Sequence, residues 1–136
     1  MRLFFFFFFF LACAFCKARA ENTESCTEEP DKIKQYDCVK QNRLTSERDL
    51  AVAEKATIDG INSNSWTSRR SEFLENFRVE KLAFEKYKVA ICKFEASFVY
   101  YSIDELPAKI QQQECEARIN DDRKKFLLSY HSVPVM

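Results

Sequence analysis

The sequence predicts an all-α fold, an antiparallel bundle of three to four helices closed by two disulfides. Three observations predict it. Apolar residues return every three or four positions along most of the chain, the spacing of one helical face. No segment alternates apolar with polar residues in the manner of a strand. Four cysteines follow the N-terminal leader, and an even number in a short exported chain reads as a pair of bridges.

The first twenty residues stand apart from this fold. Arg2 supplies a positive start, and Leu3 with the run Phe4 to Phe10, extended through Leu11, Ala12 and Ala14, forms an apolar stretch of about 12 residues. Ala18-Arg19-Ala20 fits a small-x-small cleavage site, so residues 1–20 are expected to be a signal peptide and Glu21 the mature N-terminus. The stretch falls short of the roughly 20 residues that span a bilayer. No later segment is apolar enough to do so, and no membrane span is expected after cleavage. The leader carries three of the 21 basic residues and none of the 21 acidic ones. The remaining 21–136 is therefore mildly acidic, and its length suits a single domain. Export places it in the periplasm or outside the cell.

Within that domain, Thr27-Glu28-Glu29-Pro30 reads as a helix entry, with a hydroxyl cap, early acids and a proline in the first turn. A helix is drawn from Pro30 to about Ile58 through Ile33, Tyr36, Val39, Leu44, Leu50 and Ala53, with a slight break at Thr45-Ser46. Gly60, the one glycine in the sequence, is placed as its C-terminal cap. Residues 62–65 are a loop by composition. From about Ser68 to Tyr100 the periodicity is strongest: Leu74, Phe77, Phe84, Tyr87, Ile91, Phe94 and Phe98 recur at three, four or seven. Such an aromatic stripe is read as core rather than as a ligand groove. Asp104-Glu105-Leu106-Pro107 then opens a last helix carrying Ile110, Cys115, Ile119, Phe126 and Leu127 to about Tyr130. His131 to Met136 is expected as a frayed tail.

Cys26, Cys38, Cys92 and Cys115 allow three pairings. Cys92 lies roughly 9 Å before the end of its helix and Cys115 roughly 12 Å after the start of the next, at 1.5 Å per residue. Two antiparallel helices bring them to the same level, which favours Cys92 with Cys115 and leaves Cys26 with Cys38. The gaps between cysteines are too wide for zinc-type pairs, so no metal or other cofactor is expected.

Chemistry is sparse. His131 is the sole histidine and sits in the tail, and no glycine-rich phosphate loop exists. The acid pairs Glu28-Glu29, Asp104-Glu105 and Asp121-Asp122 are adjacent in sequence, so they diverge on a helix and read as solvated charges. The basic clusters, Arg69-Arg70 and Arg123 to Lys125, lie among acids in a net-negative chain, which argues against nucleic acid. The residues thus favour a protein-binding role over an enzyme.

Phe84-x-x-Tyr87-Lys88-x-x-x-Cys92 resembles the aromatic-x-x-Tyr-Arg-x-x-x-Cys signature of the LprI-type lysozyme-inhibitor domain family. Cys115 followed by Arg123 and Leu127 is similar to that family's closing Cys…Arg…Leu pattern, and Cys38, Glu47 and Leu50 to its opening Cys…Asp-x-x-Leu. The likeness covers about Cys26 to Leu128. The chain departs from the pattern at Phe84, where Trp is usual, at Lys88 for Arg, at Lys81 for a frequent Gln and at Glu47 for Asp. It also lacks the usual glycine between the last two cysteines.

The resemblance implies an exported inhibitor that blocks host lysozyme by protein–protein contact. The alternative is an envelope interaction or immunity-type module with a non-lysozyme partner. A mildly acidic, disulfide-held domain suits a basic protein such as lysozyme. The candidate contact loop is Tyr100, Tyr101, Ser102, Asp104 and Glu105, which offers rigid aromatic contact beside the last disulfide. Lys88 and Arg123 are expected to pair with acids between helices, and Phe84 and Tyr87 to lie in the core.

Overall fold

The computed structural model describes residues 25–63, 68–99 and 105–131. The expected leader lies outside them. The described residues form a 3-10 turn over Cys26–Glu28 and three α-helices, α1 (Lys32–Ser63), α2 (Arg70–Ser97) and α3 (Leu106–His131), with no strand.

The cap of α1 differs from expectation. Asp31 holds the helix start: its Oδ1 accepts from the amides of Ile33 at 2.9 Å and Lys34 at 3.3 Å. Thr27 instead lies in the 3-10 turn, with its hydroxyl 2.9 Å from that of Ser25. At the other end α1 runs through Gly60 to Ser63 rather than stopping near Ile58. No described glycine takes a positive φ, so the left-handed cap geometry does not form. Lys55 bridges Asp59 one turn on at 2.5 Å, and the Ser63 hydroxyl donates to the Gly60 carbonyl at 3.1 Å. A glycine inside a helix costs about 0.5–1 kcal/mol, too little to end one by itself. Nor does α1 break at Thr45-Ser46. The Ser46 hydroxyl bonds back to the Arg43 carbonyl at 2.8 Å.

At the end of α2, the amides of Phe98 and Val99 bond the carbonyls of Glu95 and Ala96 at 3.2 and 3.1 Å, tightening the last turn. Pro107 occupies the first turn of α3, where its missing N–H costs nothing. His131 is the last helical residue, not the first of the tail.

Contacts between α1 and α3 rise together in number. Arg43 meets Gln113, Ser46 meets Asn120 and Leu50 meets Leu127, so these helices run in the same direction. Contacts between α2 and α3 run oppositely: Glu95 with Arg118, Lys88 with Asn120, Glu80 with Arg123. α3 packs closely on α1 and carries α2, which touches α1 little. Cys26–Cys38 ties the 3-10 turn to α1 with Cα atoms 5.8 Å apart. Cys92–Cys115 ties α2 to α3 at 5.5 Å, and both of these residues are shut off from solvent.

The apolar core is in two parts. Cys26, Val39 and Ile110 form one, with Tyr36 and Leu106 packed against it. Leu50, Ala53 and Leu127 form the other, beside Phe77 and Phe84. Between them lies a polar layer centred on Asn120, which is fully buried.

The aromatic stripe of α2 is only partly core. Leu74, Phe77, Phe84 and Ile91 are half-buried, but Tyr87, Phe94 and Phe98 are 58%, 58% and 63% exposed. The cause is placement. α3 covers the side of α2 marked by Lys88, Cys92 and Ala96, and the far edge of the stripe is left without a neighbour. Phe126 is likewise exposed, because the adjacent Leu127 takes the inward position on α3.

Candidate functional site

Three places bear on function: a buried charge cluster, the groove beside it, and the end of the molecule where α2 and α3 meet.

The charge cluster is built from all three helices. Arg123 of α3 is buried. Its Nε donates to Glu54 Oε1 of α1 at 3.3 Å, and both terminal nitrogens reach Glu80 of α2, one at 2.7 Å. The guanidinium carbon lies 4.3 Å from the Phe84 ring centroid and 5.9 Å from that of Phe77. Lys81 Nζ reaches the other oxygen of buried Glu54 at 2.6 Å. Two cations thus balance two carboxylates. Burial, the largest single influence, works against the charge on Arg123. The two hydrogen-bonded glutamates together outweigh it and hold its pKa above the usual arginine range.

One turn along, buried Lys88 sits 5.4 Å from the centroid of the Phe84 ring and donates to Asn120 Oδ1 at 3.1 Å. Asn120 Nδ2 in turn donates to the Ser46 hydroxyl at 3.1 Å. Lys88 also pairs with Glu85 of its own helix at 2.8 Å. No described buried side-chain nitrogen or oxygen lacks a partner. Every carboxylate in the cluster is bonded to a cation, and the cluster cross-links the three helices.

Beside it, α2 and α3 enclose a groove of about 370 Å³. Tyr87, Ile91, Ile119 and Phe126 line it, and Asp122 and Arg118 stand on its rim. Arg118 grips Glu95 across the groove with two bonds of 2.8 Å.

At the junction of α2 and α3, next to the Cys92–Cys115 bridge, lies a wider hollow of about 650 Å³. Lys93, Ser97, Glu105, Lys109 and Gln112 line it. Of the candidate loop, Tyr100, Tyr101, Ser102 and Asp104 lie outside the described residues. Glu105 is exposed, immediately precedes α3 and pairs with Lys109 at 3.1 Å.

Most of the residues that carry the family resemblance lie in one region, but Cys38 is held apart by its bridge to Cys26 at the 3-10 turn. Phe84, Lys88, Cys92, Cys115, Arg123, Leu50 and Leu127 meet around the cluster and the disulfide. Glu47 stands apart, paired with Arg43 on α1. Tyr87 is the exception to the expected burial and faces solvent. Sequence reading missed Glu54, Ser46 and Asn120. Their signal is positional: Glu54 follows Leu50 by one turn, and Asn120 lies three residues after Ala117 and three before Arg123, all on one helical face. Among the described residues no helix is long and apolar enough to cross a membrane, and no group of three or more His, Cys, Asp or Glu could hold a metal ion. Comparison of the chain with protein-family models, with curated proteins and with solved structures gives no match.

Proposed function

We propose that this chain is an exported, non-catalytic binding protein: a three-helix bundle, with α1 parallel and α2 antiparallel to α3, that blocks lysozyme by surface contact at the α2–α3 end. The observation that carries the reading is the buried Cys92–Cys115 bridge beside the hollow lined by Glu105, Lys93 and Lys109. A disulfide so placed fixes the two helix ends against each other, and a pre-organised surface loses less entropy on binding. The four-cysteine frame and the resemblance around Phe84, Lys88 and Arg123 support lysozyme as the partner. The acidic balance of residues 21–136 favours encounter with a basic protein. Two disulfides are consistent with an extracellular or periplasmic setting.

The test is cell-wall lysis by lysozyme in the presence of oxidised protein spanning 21–136. Lysis should fall in proportion to added protein and saturate near one equivalent. Undiminished lysis at large excess overturns lysozyme as the target. Capture of a bacterial envelope protein by the same material, with none of it retained on immobilised lysozyme, favours the immunity-type alternative.

A further inference from the structure

The aromatic stripe of α2 is stricter than one neighbouring helix requires. Phe73, Phe77, Glu80, Phe84, Tyr87, Ile91, Phe94 and Phe98 succeed one another at alternating steps of four and three. That is the seam of a coiled coil, sustained over more than three heptads. The seam has two columns. The inner one is Phe77, Phe84, Ile91 and Phe98; its first three members are half-buried by the molecule's own helices, and Phe98, just past the end of α2, is exposed. In the outer one, Phe73, Tyr87 and Phe94 are 48%, 58% and 58% exposed, and Glu80 reaches over to Arg123 of α3. Next to the outer column runs the exposed row Asn76, Ala83, Ala90 and Ser97, whose small side chains let another backbone come close.

We propose that the outer column of α2 is the interface of a homodimer, with α2 of a second copy lying antiparallel against it. Charge selects this occupant and this direction. On the flank beyond the small row, α2 is acidic in its first half, at Glu72 and Glu75, and basic in its second, at Lys86 and Lys93. Antiparallel pairing centred between residues 83 and 84 sets Lys93 of each copy against Glu72 and Glu75 of the other. Parallel pairing sets like charges face to face. The acids already bond Arg69 and Arg78 on their own helix, but those pairs are exposed and compete weakly. The same register places Phe73 opposite Phe94 of the second copy. It places Glu80, the one charged residue of the seam, opposite Tyr87, whose hydroxyl can donate to a carboxylate. Two-fold symmetry makes this pair twice, and polar pairs in an otherwise apolar seam fix register. The interface shares Lys93 and Ser97 with the hollow at the α2–α3 end, but self-association of the protein alone is read without lysozyme, so the two readings fail separately.

Sedimentation velocity on the oxidised protein from 1 to about 100 μM tests this, concentrations that bracket ordinary specific association. A concentration-dependent dimer is expected. Phe94→Lys and Phe73→Lys should each weaken it at least about tenfold, with helix content by circular dichroism unchanged because both positions are already exposed. Lys93→Glu should weaken self-association, and mixing it with Glu72→Lys/Glu75→Lys should restore a mixed dimer. A monomer throughout overturns the proposal, as does a dimer that the Phe variants leave intact. A dimer lost in the Phe variants but not restored by mixing the charge variants overturns the antiparallel register.

Discussion

The guanidinium of Arg123 lies 4.3 Å from the centroid of the Phe84 ring, while Lys88 stands 5.4 Å from the same ring. One aromatic side chain of α2 thus takes two buried cations, one from α3 and one from its own helix. This is where the three helices are locked in register. Arg123 reaches Glu54 and Glu80, and Lys88 reaches Asn120 and through it Ser46. Apolar packing alone is slight here, since few large aliphatic side chains are fully buried. A saturated polar layer specifies how the helices meet.

Removing Arg123 is expected to be severe. In Arg123→Met, Glu54 remains buried with Lys81 as its one cation, and the link to Glu80 is lost. Breaking a buried ion pair from one side costs about 3–5 kcal/mol. Adding Glu54→Leu to the same variant should recover part of that loss, because Lys81 is half-exposed and can turn to water. Arg123→Lys should fall between, keeping the charge but losing the planar fork that serves two glutamates. Urea unfolding midpoints of the four proteins check this. A loss below about 1 kcal/mol for Arg123→Met contradicts a structural role for the cluster.

The two disulfides should differ in access more than in worth. The chain-entropy model gives roughly 3 kcal/mol for each, the closed loops spanning separations of 12 and 23 residues. Cys92 and Cys115 are wholly buried, whereas Cys38 is only half-buried. Mild reduction followed by alkylation and mass mapping should therefore label Cys26 and Cys38 first. Labelling of Cys92 and Cys115 should wait for global unfolding. Simultaneous labelling of all four at low reductant counts against this ordering.

The features legible in the sequence are those set by period and chemistry. The three helices announce themselves because Leu, Phe, Ile and Ala recur at helical spacing, and the boundaries of α2 and α3 fall within a few residues of the pattern. The interhelix pairing expected of Arg123 through the family resemblance forms with Glu54 and Glu80, whereas Lys88 meets its acid, Glu85, on its own helix and crosses to Asn120 instead. Periodicity does not say how wide an arc the neighbours cover. Tyr87, Phe94 and Phe98 share a stripe with Phe84, yet α3 buries only the side of Lys88, Cys92 and Ala96. Gly60 misled because composition marks where a cap is permitted, while a cap forms only if the glycine turns to a positive φ, and here it stays helical. Glu54 and Asn120 escaped notice because a lone polar residue in a helix is usually on the surface, and only the facing Arg123 and Lys88 turn each into a partner.

Asn120 is expected to be the most sensitive neutral position. It is fully buried, accepting from Lys88 and donating to Ser46. Asn120→Ala leaves one Lys88 donor unmet, at about 1–3 kcal/mol, while the Ser46 hydroxyl keeps its bond to the Arg43 carbonyl. The paired change Asn120→Leu with Lys88→Met removes the Lys88–Asn120 polar contact from both sides and should be less destabilising than Asn120→Ala. Thermal melts and urea midpoints of the two variants decide between a network that holds the helices in register and a tolerated polar intrusion. In the second case the two variants would melt close to the parent.

Glu114 gives a pH signature of known sign. Burial against the 3-10 turn raises its carboxyl above the ordinary glutamate range, and the positive charge of Lys32 offsets this only in part. An acid whose folded pKa is raised favours the folded state when protonated. That contribution is complete below the unfolded pKa and is lost as pH rises through the raised value. Glu114→Gln, which keeps the shape and removes the charge, should therefore be more stable than the parent at neutral pH. The advantage should be small, because the side chain is partly solvated, and should close as the pH falls to about 3, where glutamates of ordinary pKa are protonated. Urea midpoints at the two pH values provide the check. An advantage that grows on acidification would reverse the sign and place Glu114 among the carboxylates stabilised by their charge.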